Sequence, residues 1–140
     1  MSKYFKLEEF LTSSTARQKK IENLPSWEII EHLEELALVL DDLREKWGSG
    51  IKISSGYRNE KLNEAVGGVR NSAHLSGWAA DIQPSNGRFQ TFIIFVKDYL
   101  KDKDFDECII EMNSKARWIH FALRSKKGEQ RRKLFNITLS

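Results

Sequence analysis

Cross-linking and helix-breaking residues are scarce in this sequence. Its 140 residues include one cysteine and two prolines. Because Cys108 has no cysteine partner in the chain, an internal disulfide is excluded, which fits a reducing compartment. An apolar core must therefore stabilise the fold. Cys108 lies in the segment FDECIIE, among apolar residues. We predict that it is a buried and unreactive thiol.

Long hydrophobic runs are missing as well. The longest one, FIIFV at 92–96, is far shorter than the roughly 20 residues that a membrane span needs. The first residues, MSKYFKLEEF, contain no apolar stretch of the kind that signal peptides have. We therefore expect no membrane insertion and cytoplasmic synthesis without a signal peptide. We also expect the protein to be a monomer.

Basic residues are concentrated near the C-terminus. The formal net charge is +3, but the segment 124–140 alone carries +5, which leaves −2 for the remainder. Such a segment either forms a solvated surface or attracts an anionic polymer, nucleic acid or cell wall. Few aromatic residues lie between the basic ones, which argues against nucleic-acid binding. The basic residues are Arg124, Lys126, Lys127, Arg131, Arg132 and Lys133.

The apolar content, 40% of the residues, is sufficient for one domain spanning 1–140. Apolar periodicity and capping residues predict a long helix from an N-cap at Ser26 to Gly48, with shorter helices elsewhere. Alternating patterns predict several short strands. Helices first and strands later indicate an α+β fold, with a small antiparallel sheet packed against N-terminal and central helices. The shorter helices are expected near 5–11, 13–20, 59–65 and 88–100, and the strands at 51–55, 78–82, 107–111, 118–123 and, as an edge strand, in LFNITL.

Two of the three histidines lie in segments that suggest a metal site. His74 and Asp81 are seven positions apart in SAHLSGWAAD, on a loop and on the strand that follows it. His120 lies in the C-terminal hairpin. Two imidazoles and one carboxylate form a common catalytic zinc set that leaves an open position for water. The spacing alone is weak evidence, and His32, inside the long helix, is interpreted as structural or exposed.

The hairpin also offers a carboxylate for proton transfer. Side chains of a strand alternate between its faces, so Trp118, His120 and Ala122 share one face. If Glu111 pairs with Trp118, it lies diagonal to His120 on that same face. A slip of one residue would turn Glu111 away, so its catalytic use depends on the register.

Several motifs in order resemble one known family. SSGYRNEKLNEAVGGVRNSAHLSGWAADI, at 54–82, resembles the central signature of the zinc D-Ala-D-Ala carboxypeptidases, peptidoglycan metallopeptidases of the lysostaphin, D-Ala-D-Ala peptidase and hedgehog fold group. FDECIIE followed by WIHFAL is similar to the last motif of the family. KLEEFLTSSTARQKKIENLP is similar to the opening of bacterial and phage members. The resemblance covers about residues 5–123 and implies a hedgehog/D-Ala-D-Ala peptidase-like fold.

The resemblance implies roles for individual residues. It makes His74, Asp81 and His120 ligands of Zn²⁺. It makes Arg58, in SGYR, a residue that contacts substrate and stabilises developing negative charge. Ser72 matches a serine that lines the site.

The acidic base departs from the pattern of the family. Several members have it three residues before the last histidine, where this chain has Arg117. We therefore expect Glu111 to be the catalytic acid and base. Trp118, beside the ligand His120, either packs in the core or forms a wall of the substrate groove.

The function implied by the resemblance is zinc-dependent hydrolysis of peptidoglycan stem peptides. Both a D-Ala-D-Ala carboxypeptidase-like activity and an endolysin-type endopeptidase activity are consistent with it. Without a signal peptide, phage-type release or another export route would bring the protein to the cell wall. The alternative is a non-catalytic zinc-binding module of the cell wall or of a phage particle. A nucleic-acid partner, suggested only by the basic segment, is not expected.

Overall fold

The computed structural model describes residues 2–139, so Met1 and Ser140 of the predicted domain lie outside the described residues. None of the helices in the described part of the chain is long and apolar enough to cross a membrane. The α-helices are α1 (Leu7–Leu11), α2 (Ser14–Lys19), α3 (Trp27–Trp47), α4 (Glu60–Ala65) and α5 (Phe89–Tyr99), and 3₁₀ helices lie at Ala73–Ser76 and Leu100–Asp102. The strands are β1 (Ile51–Ser55), β2 (Ala79–Pro84), β3 (Glu107–Met112), β4 (Arg117–Ala122) and β5 (Lys133–Thr138). The predicted α+β class is confirmed.

Local hydrogen bonds define the ends of the helices. The Ser26 hydroxyl accepts a hydrogen bond from the Ile29 amide at 3.3 Å, and the Asn59 side chain accepts one from the Leu62 amide at 2.8 Å. Gly48 ends α3 in the left-handed region, with φ of 78°. These caps satisfy backbone groups that a helix end leaves unpaired. The predicted limits of α3 and α4 are confirmed for this reason.

The five strands form one sheet in the order β1-β2-β4-β3-β5. Three of the four pairings are antiparallel, but β5 runs parallel to β3. The chain reverses once between β3 and β4 and again after β4, so β5 runs in the direction of β3 when it reaches the far edge. The predicted edge strand is therefore present, and the sheet is mostly rather than wholly antiparallel.

Strand β2 extends further than its sequence pattern predicted. It covers Ala79–Pro84 rather than residues 78–82. Proline lacks an amide hydrogen and usually ends a strand. Here Pro84 pairs with Ile51 of β1, beyond the last pair that β2 makes with β4, Ile82 with Ile119. The position therefore needs no amide donor towards β4.

One face of the sheet contributes to the main apolar core. Ile82, Ile119 and Phe121 are buried there together with side chains of α3 and α5, such as Leu36 and Phe92. The opposite face carries two of the proposed metal ligands, Asp81 and His120, and the carboxylate of Glu111. One face of the sheet thus packs in the core, and the other face carries the side chains of the proposed site.

Cys108 lies in this core, on β3. Its side chain is fully buried, and burial raises the pKa of the thiol to about 12. At neutral pH the thiol is therefore protonated and a poor nucleophile. The prediction of a buried thiol is confirmed.

Candidate metal centre

The three proposed ligands converge on one face of the sheet. Asp81 on β2 is directly opposite His120 on β4. His74 lies in the 3₁₀ helix just before β2. Asp81 Oδ1 is 3.3 Å from His74 Nε2 and 3.1 Å from His120 Nδ1. One donor atom from each of the three residues lies within 4.8 Å of the other two.

This spacing fits a tetrahedral zinc ion. Zinc bonds of about 2.0–2.1 Å in a tetrahedron separate neighbouring donor atoms by about 3.3 Å. The observed separations from Asp81 Oδ1, 3.1 and 3.3 Å, match that geometry. Two imidazoles and one carboxylate leave the fourth position open, as catalytic rather than structural zinc sites do.

Backbone contacts orient the His74 ring. Its Nδ1 lies 2.6 Å from the carbonyl oxygen of Gly56. Because a carbonyl only accepts, Nδ1 donates and the lone pair is on Nε2, which faces Asp81. Gly56 has no room for a side chain, since a β-carbon there would lie 2.6 Å from the Cα of Phe10. A glycine therefore brings the carbonyl close enough to align the ligand.

Ser72 supports the same ligand from the other side. Its hydroxyl caps the 3₁₀ helix by accepting a hydrogen bond from the His74 amide at 3.1 Å. The Ser72 side chain is largely buried. The structure thus gives Ser72 a part in positioning His74, and its contact with substrate remains a prediction.

Burial and neighbouring charges shift the pKa values of the three ligands. Burial lowers the pKa of His74 and so favours its neutral form. Burial alone would lower the pKa of His120, but the carboxylates of Asp81 and Glu107 outweigh it and raise the value to about 9. Burial would raise the pKa of Asp81, yet the two imidazoles hold it well below its usual range. A metal ion bound here would compete with protons for the His120 ring.

The hairpin has the register that brings Glu111 to the metal face. Glu111 pairs with Trp118, which is the condition that the sequence left open, and Ile109 pairs with His120. The indole Nε1 of Trp118 donates a 2.6 Å hydrogen bond to Glu111 Oε1. Burial, followed by the negative charge of Asp81, raises the pKa of Glu111. A carboxyl group with a raised pKa is suited to accepting and returning a proton near neutral pH.

Arg58 extends a cationic group into the same region. It lies just after β1, and its amide donates a hydrogen bond to the His74 carbonyl at 3.1 Å. Within residues 2–139 its buried Nε has no hydrogen-bond partner. Burial lowers the pKa of the guanidinium, while Asp81 and Glu111 partly oppose this effect. A buried donor of this kind fits an anionic oxygen supplied by a ligand better than a salt bridge within the protein.

Comparison with protein families agrees with this geometry. A family model described as Peptidase M15 matches residues 3–122. The chain belongs to the peptidase M15 family. M15 peptidases are zinc-dependent, so the chain is a metallopeptidase by family. Its His74, Asp81 and His120 donor atoms lie close enough together to hold a metal ion. Comparison with curated protein sequences gives no match.

Arg117 takes no part in the metal centre of this M15 peptidase. It occupies the position where several relatives of the resembled family have an acid. Its guanidinium lies over the ring of Phe89 in α5, 4.9 Å from the centroid. It therefore points to the core side of the sheet, away from His120. Arg117 therefore does not replace the acid of those relatives, and Glu111 stays the predicted catalytic carboxylate of the hairpin.

Sequence reasoning missed Glu107. This residue of β3 has its Oε1 3.6 Å from His120 Nε2. Glu107 and Glu111 lie two positions on either side of Ile109, which faces His120. The alternation of β3 puts Glu107 on the same face as Glu111, but only the observed register places both carboxylates diagonal to the histidine.

His32 is structural in this M15 peptidase. Its ring stacks on Trp78 at a centroid distance of 4.0 Å, and its Nδ1 lies 2.6 Å from the Ser76 carbonyl oxygen. These contacts hold α3 against the 3₁₀ helix that carries His74. The histidine therefore supports the site without facing it.

Proposed function

We propose that this M15 peptidase uses zinc held by His74, Asp81 and His120 to hydrolyse peptide bonds in peptidoglycan stem peptides. The observation that carries the proposal is the meeting of three donor atoms within 4.8 Å of one another, two of them 3.1 and 3.3 Å from Asp81 Oδ1. On the same face lies a carboxylate with a raised pKa, Glu111. The family, whose members are peptidases, supports the reaction type.

Glu111 is the proton carrier in this proposal. When bound, zinc supplies a Lewis acid that polarises a carbonyl group and acidifies water. Trp118 donates to Oε1 of Glu111, which leaves Oε2 to take a proton from the attacking water. The same oxygen then returns the proton to the amine that leaves.

Arg58 binds negative charge on the substrate. Its guanidinium stays charged and offers two parallel donors to a carboxylate or to an oxyanion. That Nε finds no hydrogen-bond partner in the described part of the chain supports a role in ligand binding. If Arg58 binds a terminal carboxylate, a D-Ala-D-Ala carboxypeptidase-like reaction is favoured. If it binds the oxyanion, an endolysin-type endopeptidase reaction is equally consistent.

Trp118 and Ser72 complete the proposed substrate site. The Trp118 side chain is partly exposed beside His120, on the metal face of β4. An aromatic ring in this position can form one wall of a groove for an extended peptide. Ser72 is proposed to line the site through the 3₁₀ helix that it caps.

The cell wall is the proposed place of action. Release of a phage type, or another export route, would take the protein there. The basic residues of 124–140 would then be attracted by the anionic wall polymers.

The deciding experiment exposes purified peptidoglycan to the protein with zinc and identifies the fragments by mass spectrometry. Loss of a terminal D-Ala would indicate the carboxypeptidase-like reaction, and cleavage within the stem would indicate the endopeptidase. The matched control is Glu111→Gln, which should bind zinc yet release about 10²- to 10⁴-fold fewer fragments. If the parent protein binds zinc and releases no fragments, the chain is a non-catalytic zinc-binding module.

A further inference from the structure

His120 has two ring nitrogens, and each lies near a different carboxylate. Nδ1 is 3.1 Å from Asp81 Oδ1, and Nε2 is 3.6 Å from Glu107 Oε1. Asp81 shares the metal centre, so its contact belongs to the set of ligands. Glu107 lies on the far side of the ring from the three converging donors and so cannot be one of them.

The Glu107 carboxylate also lies near a basic residue. Its Oε2 lies 3.9 Å from a terminal nitrogen of Arg131, in the segment before β5. Arg131 in turn makes two hydrogen bonds of 2.8 Å to the carboxylate of Asp106. The Asp106 side chain is fully buried, so this pair is a rigid anchor next to Glu107. The family match ends at residue 122, so Arg131 belongs to the part of the chain beyond it.

We propose that Glu107 is a positioning residue of the metal centre, whose Oε1 accepts the Nε2 hydrogen of His120 and so directs the Nδ1 lone pair towards the metal. The proposal rests on zinc binding as given under the proposed function. A histidine ligand commonly donates its second ring N–H to a carboxylate, which sets the tautomer and the angle of the ring. At 3.6 Å the contact is longer than a hydrogen bond, so the proposal requires the two groups to move closer when the metal binds.

A simple charge effect is the competing explanation. Any carboxylate near a divalent cation attracts it, whether or not it touches a ligand. Glu111 provides the comparison, because it is the other carboxylate of β3 diagonal to His120. Its Oε1 accepts from Trp118 rather than from His120. Removing the charge of either residue should therefore weaken zinc binding by a similar factor. Removing the acceptor for His120 should weaken it further, and only a substitution of Glu107 can do this.

The experiment compares zinc affinity, measured by competition with a chromophoric chelator, for three variants of the full chain. Glu107→Gln and Glu107→Met have similar volume and no charge, but only glutamine keeps an acceptor oxygen. We expect Glu107→Met to bind zinc about 10- to 100-fold more weakly than Glu107→Gln. Glu107→Gln and Glu111→Gln should weaken binding by similar factors. The absorption spectrum of bound Co²⁺ should change in Glu107→Met and stay the same in Glu107→Gln.

Equal zinc affinity for Glu107→Met and Glu107→Gln would overturn the proposal. Thermal unfolding of the metal-free variants separates a loss of folding from a loss of zinc binding. If Glu107→Met does not fold, Glu107→Gln still tests the proposal, which requires the Co²⁺ spectrum of that variant to match the spectrum of the parent. A parent protein that binds zinc but cleaves no peptidoglycan would remove the proposed function and leave the role of Glu107 intact. A parent that binds no zinc would overturn both.

Discussion

A single hydrogen bond sets the direction of the proposed catalytic carboxylate. Trp118 Nε1 donates to Glu111 Oε1 at 2.6 Å across the β3–β4 pair. The register of the hairpin alone would leave the Glu111 side chain free to rotate. The indole holds one of its oxygens and leaves the other without this contact. In the proposed mechanism Trp118 therefore has two roles: its ring lines the groove and its nitrogen orients the base.

Trp118→Phe separates these two roles. The substitution keeps an aromatic ring and removes the donor to Glu111. We expect kcat to fall about tenfold, which corresponds to the loss of one hydrogen bond to a charged group, while KM and zinc affinity change little. Steady-state kinetics on a stem-peptide substrate and a zinc titration measure both quantities. An unchanged kcat would mean that the Trp118–Glu111 bond does not matter for proton transfer.

The residues proposed from the sequence lie together in the structure, but their contacts were not all predictable. His74, Asp81 and His120 were recognisable from ordered motifs, and strand alternation showed which register would place Glu111 on their face, but only the structure decided that register. The contact of the His74 ring with the Gly56 carbonyl, and the burial of Arg58 Nε without a hydrogen-bond partner among residues 2–139, depend on atoms from separate segments. No local pattern encodes such contacts.

At the level of the elements, β5 is joined to β3 by more than backbone pairing. The segment before it places Arg131 against Asp106, immediately before β3. Burial would raise the pKa of Asp106, but the hydrogen bonds and the charge of Arg131 outweigh it and lower the value below the ordinary 3.8. The edge strand is thus fixed by a buried carboxylate whose charge must be retained.

This pair predicts a pH dependence of stability. Because the folded-state pKa of Asp106 is lowered, its contribution is present above pH 3.8 and is lost as the pH falls through the lower folded value. Asp106→Asn should cost about 3 kcal/mol at pH 7, the lower end for a broken buried pair, because the Arg131 side chain is 37% exposed. The difference from the parent should shrink in acid. Chemical denaturation at a series of pH values measures it.

The control for this prediction is an exposed ion pair. Asp98 lies 3.1 Å from Lys101, and both side chains are about three-quarters exposed. Asp98→Asn should change the free energy of unfolding by less than about 1 kcal/mol at any pH. A similar cost for the two variants would show that burial does not strengthen the Asp106–Arg131 pair.

Gly77 ends the 3₁₀ helix that carries His74 and packs closely against α3. Its φ is 77°, and a β-carbon there would lie 3.0 Å from two atoms of Ile29. Gly87 has nearly the same φ, 76°, with no atom within 4 Å of a β-carbon. Gly87→Ala should cost about 1–2 kcal/mol from the backbone conformation alone. Gly77→Ala should cost clearly more and should also weaken zinc binding, because it displaces His74. Equal costs for the two variants, measured by thermal unfolding, would refute the close packing.

At the scale of the whole molecule, the basic C-terminal segment is partly structural. Arg124 donates to the Gly128 carbonyl, Arg131 pairs with Asp106, and Arg132 donates to the Lys101 carbonyl. Deleting the segment would therefore remove β5 and leave a buried carboxylate without its partner. Its role in wall binding has to be tested by removing exposed charges instead.

Lys126 and Lys127, which are exposed in the turn at 124–128, are suitable for this test. Lys126→Ser combined with Lys127→Ser should weaken binding to isolated cell walls several-fold at low salt. At about 0.5 M salt, where screening is strong, the difference should vanish. The matched control removes two charges elsewhere, at Lys101 and Lys115. If both double variants bind walls alike in a sedimentation assay, net charge rather than the segment determines binding.

The amino-acid sequence by itself determined the local features of this protein: where the helices are capped, which strand residues share a face, and which side chains the zinc-peptidase motifs supply. These features depend on hydrogen bonds and periodicity among neighbouring residues, so a contiguous stretch of sequence contains them. Only the tertiary structure decided that β5 runs parallel to β3, that Glu107 lies beside His120, and that Arg131 reaches Asp106. Those contacts join residues that are far apart in the chain, and their distances are set by how the strands pack across the whole sheet.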